Sequence, residues 1–228
     1  MSILELKNVS RVFGSGPARC PALRGIDLSV EPAEMLAVTG ASGSGKSTLL
    51  NICAGLDAPT GGSVLIDGRD TRGMSPDAMA RLRRTSVGFV FQFMNLLPAL
   101  TAWENIELAL VLSGAAREDR RRRVAGLLDL AGLAEKARAL PDQLSGGQQQ
   151  RLAVLRALAH RPRIVFMDEP TSCLDSDHAR ELMDLVVNLN AREKTTIVVA
   201  THDAAVAGRM TIRVQMRDGK IISPEVTP

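Results

Sequence analysis

The chain has 228 residues, 45% hydrophobic and 23% charged, which is enough apolar material for one large domain or for a core with a small insertion. No apolar run approaches the roughly 18 residues that a bilayer span requires, residues 1–10 lack the basic and apolar regions of a secretory signal, and Cys20, Cys53 and Cys173 stand at spacings that suit neither a disulfide framework nor a zinc site. The net charge of +3 is mild, and five Phe, one Trp and no Tyr argue against single-strand nucleic-acid binding, which needs aromatic stacking platforms; the balance points to the cytoplasm.

Residues 3–9 and 25–30 read as strands. Residues 35–39, MLAVT, form a short apolar run that ends at a glycine and reads as a buried strand. The next stretch, Gly40-Ala41-Ser42-Gly43-Ser44-Gly45-Lys46-Ser47-Thr48, fits G-x-x-x-x-G-K-[ST] between that strand and a helix over 46–56. Its glycines let backbone N–H groups converge on phosphate oxygens. Lys46 is placed to reach the β- and γ-phosphates, and the Ser47 hydroxyl to ligate Mg²⁺.

Residues 62–67 and 87–91 are further strands. Gln92 follows the second; it is an ordinary polar residue at a strand end, or one that reaches a metal or a water. Strand signals then stop, and residues 101–112 and 117–130 carry apolar positions at helical spacing. The run Arg120 to Arg123 reads as the solvated face of a helix, with a nucleic-acid or anionic-lipid patch as the rival reading.

Leu144-Ser145-Gly146-Gly147-Gln148 opens a helix that runs to about residue 160. Two glycines at a helix N-terminus resemble a phosphate cradle, yet no lysine accompanies them. Residues 163–167, RIVFM, form a very apolar strand that ends in Asp168 and Glu169. Two acids there also fit an ordinary strand exit. Beside a P-loop they fit a metal-holding carboxylate and a general base, because ligands of open α/β sheets bind at the carboxyl ends of strands. Residues 195–200 are another apolar strand, followed closely by His202, which reads as a lone polar residue or a γ-phosphate contact. His160 and His178 read as surface residues. Residues 211–222, with Asp218-Gly219 between two runs, read as a hairpin. Strands this apolar on both faces predict a parallel sheet covered by helices, hence an α/β fold with an inserted helical subdomain.

In this order the motifs resemble one family, the ATP-binding cassette (ABC) ATPases, over essentially the whole chain. The P-loop, Gln92, the Leu144–Gln148 signature, the Asp168-Glu169 pair, His202 and a D-loop-like Ser172-Cys173-Leu174-Asp175 carry the likeness. The resemblance implies a P-loop ATPase core over 1–92 and 148–228, with N-terminal antiparallel strands and a helical subdomain over 93–147. It implies ATP and Mg²⁺, with Lys46, Glu169, His202 and Gln92 catalytic and Ser47, Gln92 and Asp168 on the metal. The remaining nucleotide contacts are Phe13, residues 40–48, Ser145, Gly146, Gly147, Gln148 and Asp175. Two departures stand out. The family's usual tyrosine for stacking adenine is replaced by Phe13, which implies little loss of ATP binding and little selectivity against GTP. Cys173 is larger than the residue common at its position.

The resemblance also accounts for the missing lysine. In that family two subunits pair head to tail, and each signature closes on the nucleotide held by its partner's Lys46. Residues 91–106, FQFMNLLPALTAWENI, are similar to the branch of lipoprotein-release, macrolide-efflux, peptide-resistance and cell-division ATPases. The implied partners are a second copy and an integral membrane permease, with no nucleic acid, at the cytoplasmic face of a bacterial membrane. The rival class is a soluble cassette of iron–sulfur assembly or nucleic-acid processing.

Overall fold

The computed structural model describes residues 2–226. Strands β1 (Leu4–Phe13), β2 (Cys20–Val30), β4 (Gly61–Ile66) and β5 (Arg69–Asp70) make an antiparallel sheet in the order β2-β1-β4-β5. Strands β3 (Met35–Thr39), β6 (Val87–Val90), β7 (Ile164–Asp168), β8 (Thr196–Thr201), β9 (Ile212–Arg217) and β10 (Lys220–Val226) form a second sheet, ordered β10-β9-β3-β8-β7-β6. All its pairings are parallel except that of β10 with β9.

Successive residues of a strand face opposite sides, so the apolar runs of β3, β7 and β8 divide between two cores. Leu36, Val38, Ile164, Phe166, Val198 and Ala200 join α1 (Lys46–Cys53) and the antiparallel sheet. Ala37, Val165, Met167, Ile197 and Val199 join α3 (Ala102–Leu112), α4 (Arg117–Leu130), α5 (Gly146–Leu158) and α6 (Ser176–Glu193). The P-loop helix and the signature helix therefore pack on opposite faces of one sheet.

Several elements differ from the sequence expectation. β1 runs on to Phe13 and β2 starts at Cys20, because irregularities after Leu6, Val9 and Arg11 let the pairing continue past the polar stretch. Helix α1 stops at Cys53, where Gly55 at φ 65° turns the chain. Helix α2 (Pro76–Ser86) was not anticipated, although Ser75 caps it and Pro76 opens it, a legible start signal. Helix α6, capped by Asp175, was likewise passed over. His160 is half-buried, with Nε2 3.1 Å from the Val87 carbonyl, and burial lowers it from the ordinary imidazole value; it is not a surface residue. The β9–β10 hairpin forms as expected, with Asp218 and Gly219 both at positive φ. Among the described residues no helix is long and apolar enough to cross a membrane.

Candidate functional site

Parallel pairing brings the strand ends into line. Thr39 of β3 sits opposite Thr201 of β8, Asp168 of β7 opposite Ala200, and Val90 of β6 opposite Met167. The segments that follow β3, β7 and β8 meet in one place.

The first is the loop from Gly40 to Gly45. Gly40 has φ 148°, and a Cβ there would stand 2.4 Å from the Met216 carbonyl oxygen. Gly45 has φ 104°, and its Cβ would meet the Ala22 carbonyl oxygen at 2.6 Å. Side chains are excluded at both ends of the loop. Gly45 is also the N-cap of α1 and supplies no capping side chain, so the first N–H groups of α1 are left for a ligand. Ala41, Ser42, Gly43 and Ser47 are exposed, Thr48 is half-buried, and Ser44 is buried with its hydroxyl unpartnered.

Lys46 is buried. Its ammonium donates to the carbonyls of Gly40 at 2.9 Å and Ala41 at 3.2 Å, and lies 3.6 Å from Glu169 Oε1. Glu169 Oε2 is in turn 2.9 Å from His202 Nδ1. Glu169 has left-handed backbone, φ 46°, while its N–H donates to the Ala200 carbonyl. Left-handed backbone is costly for a residue with a Cβ, so the surroundings hold Glu169 in this conformation. Lys46, Glu169 and His202 thus form one chain of contacts across the ends of three parallel segments.

Asp168 differs from its neighbour. Burial raises its carboxyl above the ordinary range, the Ser47 hydroxyl opposes that shift by hydrogen bonding, Glu169 adds to it and Lys46 opposes it. One of its oxygens is buried without a partner. A desolvated carboxylate with an orphaned oxygen beside a serine hydroxyl fits a hard divalent cation with oxygen ligands. The residues present therefore fit a nucleotide–Mg²⁺ complex.

Other predicted residues lie outside this cluster. Gln92 is exposed in the turn after β6. Phe13 is 41% exposed at the end of β1, and the Arg11 guanidinium lies 4.6 Å from its ring centre, covering one face. Ser145 caps α5 in a reciprocal box with Gln148; Ser145 and Gly146 are exposed, and no hydrogen bond or ion pair joins residues 145–148 to the P-loop among the described residues. Asp175 caps α6, and the His178 N–H and imidazole hold its carboxyl below the ordinary value. His178 also touches the signature: a Cβ at Gly147 would stand 3.0 Å from its ring. Sequence reasoning passed over that contact because it joins two helices distant in sequence. It also passed over Arg156, whose signal was a lone charge inside the apolar run 152–158.

A family profile described as ABC transporter matches residues 23–172. The chain belongs to the ABC transporter family. The cassette is an ATPase that binds ATP, built on the P-loop α/β fold of that family. Macrolide export ATP-binding/permease protein MacB of Sodalis glossinidius is 47% identical over 221 residues, covering 97% of the cassette and 34% of that protein. MacB of Neisseria meningitidis serogroup A is 45% identical, covering 98% and 34%. The cassette thus spans about a third of the length of the curated relatives it matches. Among solved structures, the dimeric bacterial ABC transporter cassette MJ0796 superimposes with a TM-score of 0.91 at 41% identity over 98% of each chain. It is also known as a dimeric post-hydrolysis state bound to ADP and Pi. CbiO1 of Clostridium perfringens, part of a cbiONQ transporter complex, gives a TM-score of 0.89 at 28% identity, covering 99% of the cassette and 88% of that chain.

Proposed function

We propose that the cassette hydrolyses ATP as a head-to-tail homodimer and drives a membrane permease. The observation that carries the reading is the division of labour between faces. The P-loop, Lys46 and the two carboxylates gather around α1, whereas the signature caps α5 on the other face of the sheet, with Ser145 and Gly146 exposed. A second copy, turned head to tail, sets an exposed signature over a P-loop that lacks one.

In this reading Lys46 leaves its loop carbonyls for the β- and γ-phosphates, and the N–H groups of residues 40–48 wrap them. Phe13 stacks the adenine on the face that Arg11 leaves open. Ser47, Asp168 and Gln92 hold Mg²⁺, which supplies neutralisation of phosphate charge. Glu169 takes the proton of the attacking water as general base, and His202, bonded to its other oxygen, orients it and contacts the γ-phosphate. Ser145, Gly146, Gly147 and Gln148 of one copy, with Asp175, complete the site of the other.

Residues 93–147 act as the helical subdomain that meets the permease, and residues 1–92 and 148–228 as the core. Met94 and Leu96 pack against the core, while Phe93 is 74% exposed and Leu97 41%. An exposed Phe-Leu pair after Gln92 suits a short cytoplasmic helix of the permease. The names of the MacB relatives support export as the coupled process, at the cytoplasmic face of a bacterial membrane. The test is Glu169→Gln: turnover falls by about 10²-fold or more, ATP still binds, and gel filtration with Mg-ATP shows a dimer. A monomeric profile with bound ATP overturns the reading.

A further inference from the structure

Met94 and Asn95, just after Gln92, are consecutive residues in left-handed backbone, at φ 47° and 48°. Asparagine tolerates that region; methionine has no such excuse. Strain of this kind persists only where the surroundings over-determine it. Here the Met94 N–H donates to the Phe91 carbonyl at 3.2 Å and the Met94 side chain packs against the core, and one further side chain holds both carbonyls of the pair. Arg156, in the last turn of α5, donates from Nη1 to the Asn95 carbonyl at 2.6 Å and from Nη2 to the Met94 carbonyl at 2.9 Å. Both carbonyls of the strained pair are held by one planar guanidinium, a geometry that lysine cannot reproduce. Arg156 is half-buried inside an apolar run, so its charge is kept there against the cost of desolvation.

The helix that carries Arg156 near its end carries the signature at its start, 13 residues in all. A helix of that length moves as a rigid rod, so displacement at Ser145 is felt at Arg156. The far end of the loop is anchored separately: Asn105 binds the N–H and carbonyl of Leu97. The stretch next to Gln92 is tied to α5 by Arg156.

We propose that Arg156 is a positioning residue that clamps the loop after Gln92 to the signature helix, so that the reach of Gln92 toward the nucleotide depends on where that helix stands. The proposal rests on the reading of Gln92 as a nucleotide-facing residue.

The test uses the purified chain and Mg-ATP turnover. Arg156→Ala lowers kcat about tenfold, as misplacement of a positioning group does, with KM for ATP little changed because the P-loop is intact. Met94→Gly with Asn95→Gly removes the conformational penalty, so the loop keeps its path without the clamp. Combined with Arg156→Ala, the glycine pair restores most of the lost kcat. A role for Arg156 in packing alone predicts no such rescue. Unchanged kcat in Arg156→Ala, or a loss that the glycine pair does not relieve, overturns the clamp. Should Arg156→Ala fail to fold, Arg156→Lys replaces it in the same comparison. Gln92→Ala is measured alongside: if its kcat is that of the wild type, the Gln92 reading fails and the link to the nucleotide with it, whereas an unrelieved loss beside an impaired Gln92→Ala overturns the clamp alone.

Discussion

Asp168 and Glu169 are neighbours in sequence with unlike surroundings. Glu169 faces an ammonium at 3.6 Å and an imidazole at 2.9 Å, while Asp168 has a serine hydroxyl and an unpartnered oxygen. A carboxylate held this way stabilises a bound cation at the cost of the empty protein. Its folded-state value is raised, so the folded protein keeps the proton to higher pH than the unfolded chain does. Asp168 therefore lowers stability as pH rises from the ordinary carboxylate value through the raised one, and the penalty stays above that window. Asp168→Asn removes this slope. The nucleotide-free variant melts higher than the wild type at neutral pH and equally at low pH, and it loses Mg-dependent turnover. Thermal scans across pH check the first statement; an unchanged or lower melting temperature at neutral pH contradicts it.

At the scale of elements, short polar contacts decide where the loops near the site run. Asn105 is fully buried on α3. Its amide donates to the carbonyls of Leu97, Leu100 and Thr101, and its oxygen accepts from the Leu97 N–H. The loop 97–101 has no ladder of its own, and this one side chain meets the Leu97 N–H and three of the loop's carbonyls. Asn105→Ala orphans several groups at once and costs about 3 kcal/mol or more, a fall of roughly 6–12 °C in melting temperature for a chain of this size. Differential scanning calorimetry reads it directly. The capping residue Thr101, with its Glu104 box, keeps the start of α3, so the damage concentrates in the loop.

At the scale of the whole molecule, the proposed head-to-tail pairing follows from the placement of P-loop helix and signature helix on opposite faces of the parallel sheet. A Cβ at Gly146 meets nothing within 4 Å, so Gly146→Asp leaves its own subunit folded and, in the proposed dimer, spoils only the phosphate contact made in its partner. Lys46→Ala spoils its own P-loop. Each variant alone is inactive. Mixed, they form dimers with both lesions in one composite site and none in the other, and turnover returns. An inactive mixture, with mixed dimers shown to form, rules against action in trans between independent sites. Phe93→Glu tests the outer face: the fold and basal ATPase are retained, and copurification with the proposed permease is lost. Equal loss of melting temperature and basal turnover assigns Phe93 to the core instead.

The sequence by itself determined the chemistry that is local. A P-loop is legible because glycine, lysine and serine must follow one another between a strand and a helix. Asp168 and Glu169 are legible because they end an apolar strand, and the Asp218-Gly219 hairpin because only such residues take positive φ cheaply. The two long antiparallel strands were half-legible, since bulges break the alternation on which strand reading depends. Only the tertiary structure decided what depends on pairing between distant segments. It set the strand order that aligns the ends of β3, β7 and β8, and it assigned Met94 and Leu96 to the core but Phe93 and Leu97 to the surface. It also brought His178 against Gly147 and Arg156 against two strained carbonyls. Neither contact leaves a periodic mark in the sequence, because hydrogen bonds and close approach are fixed by where whole helices pack, and that is set by the two cores together.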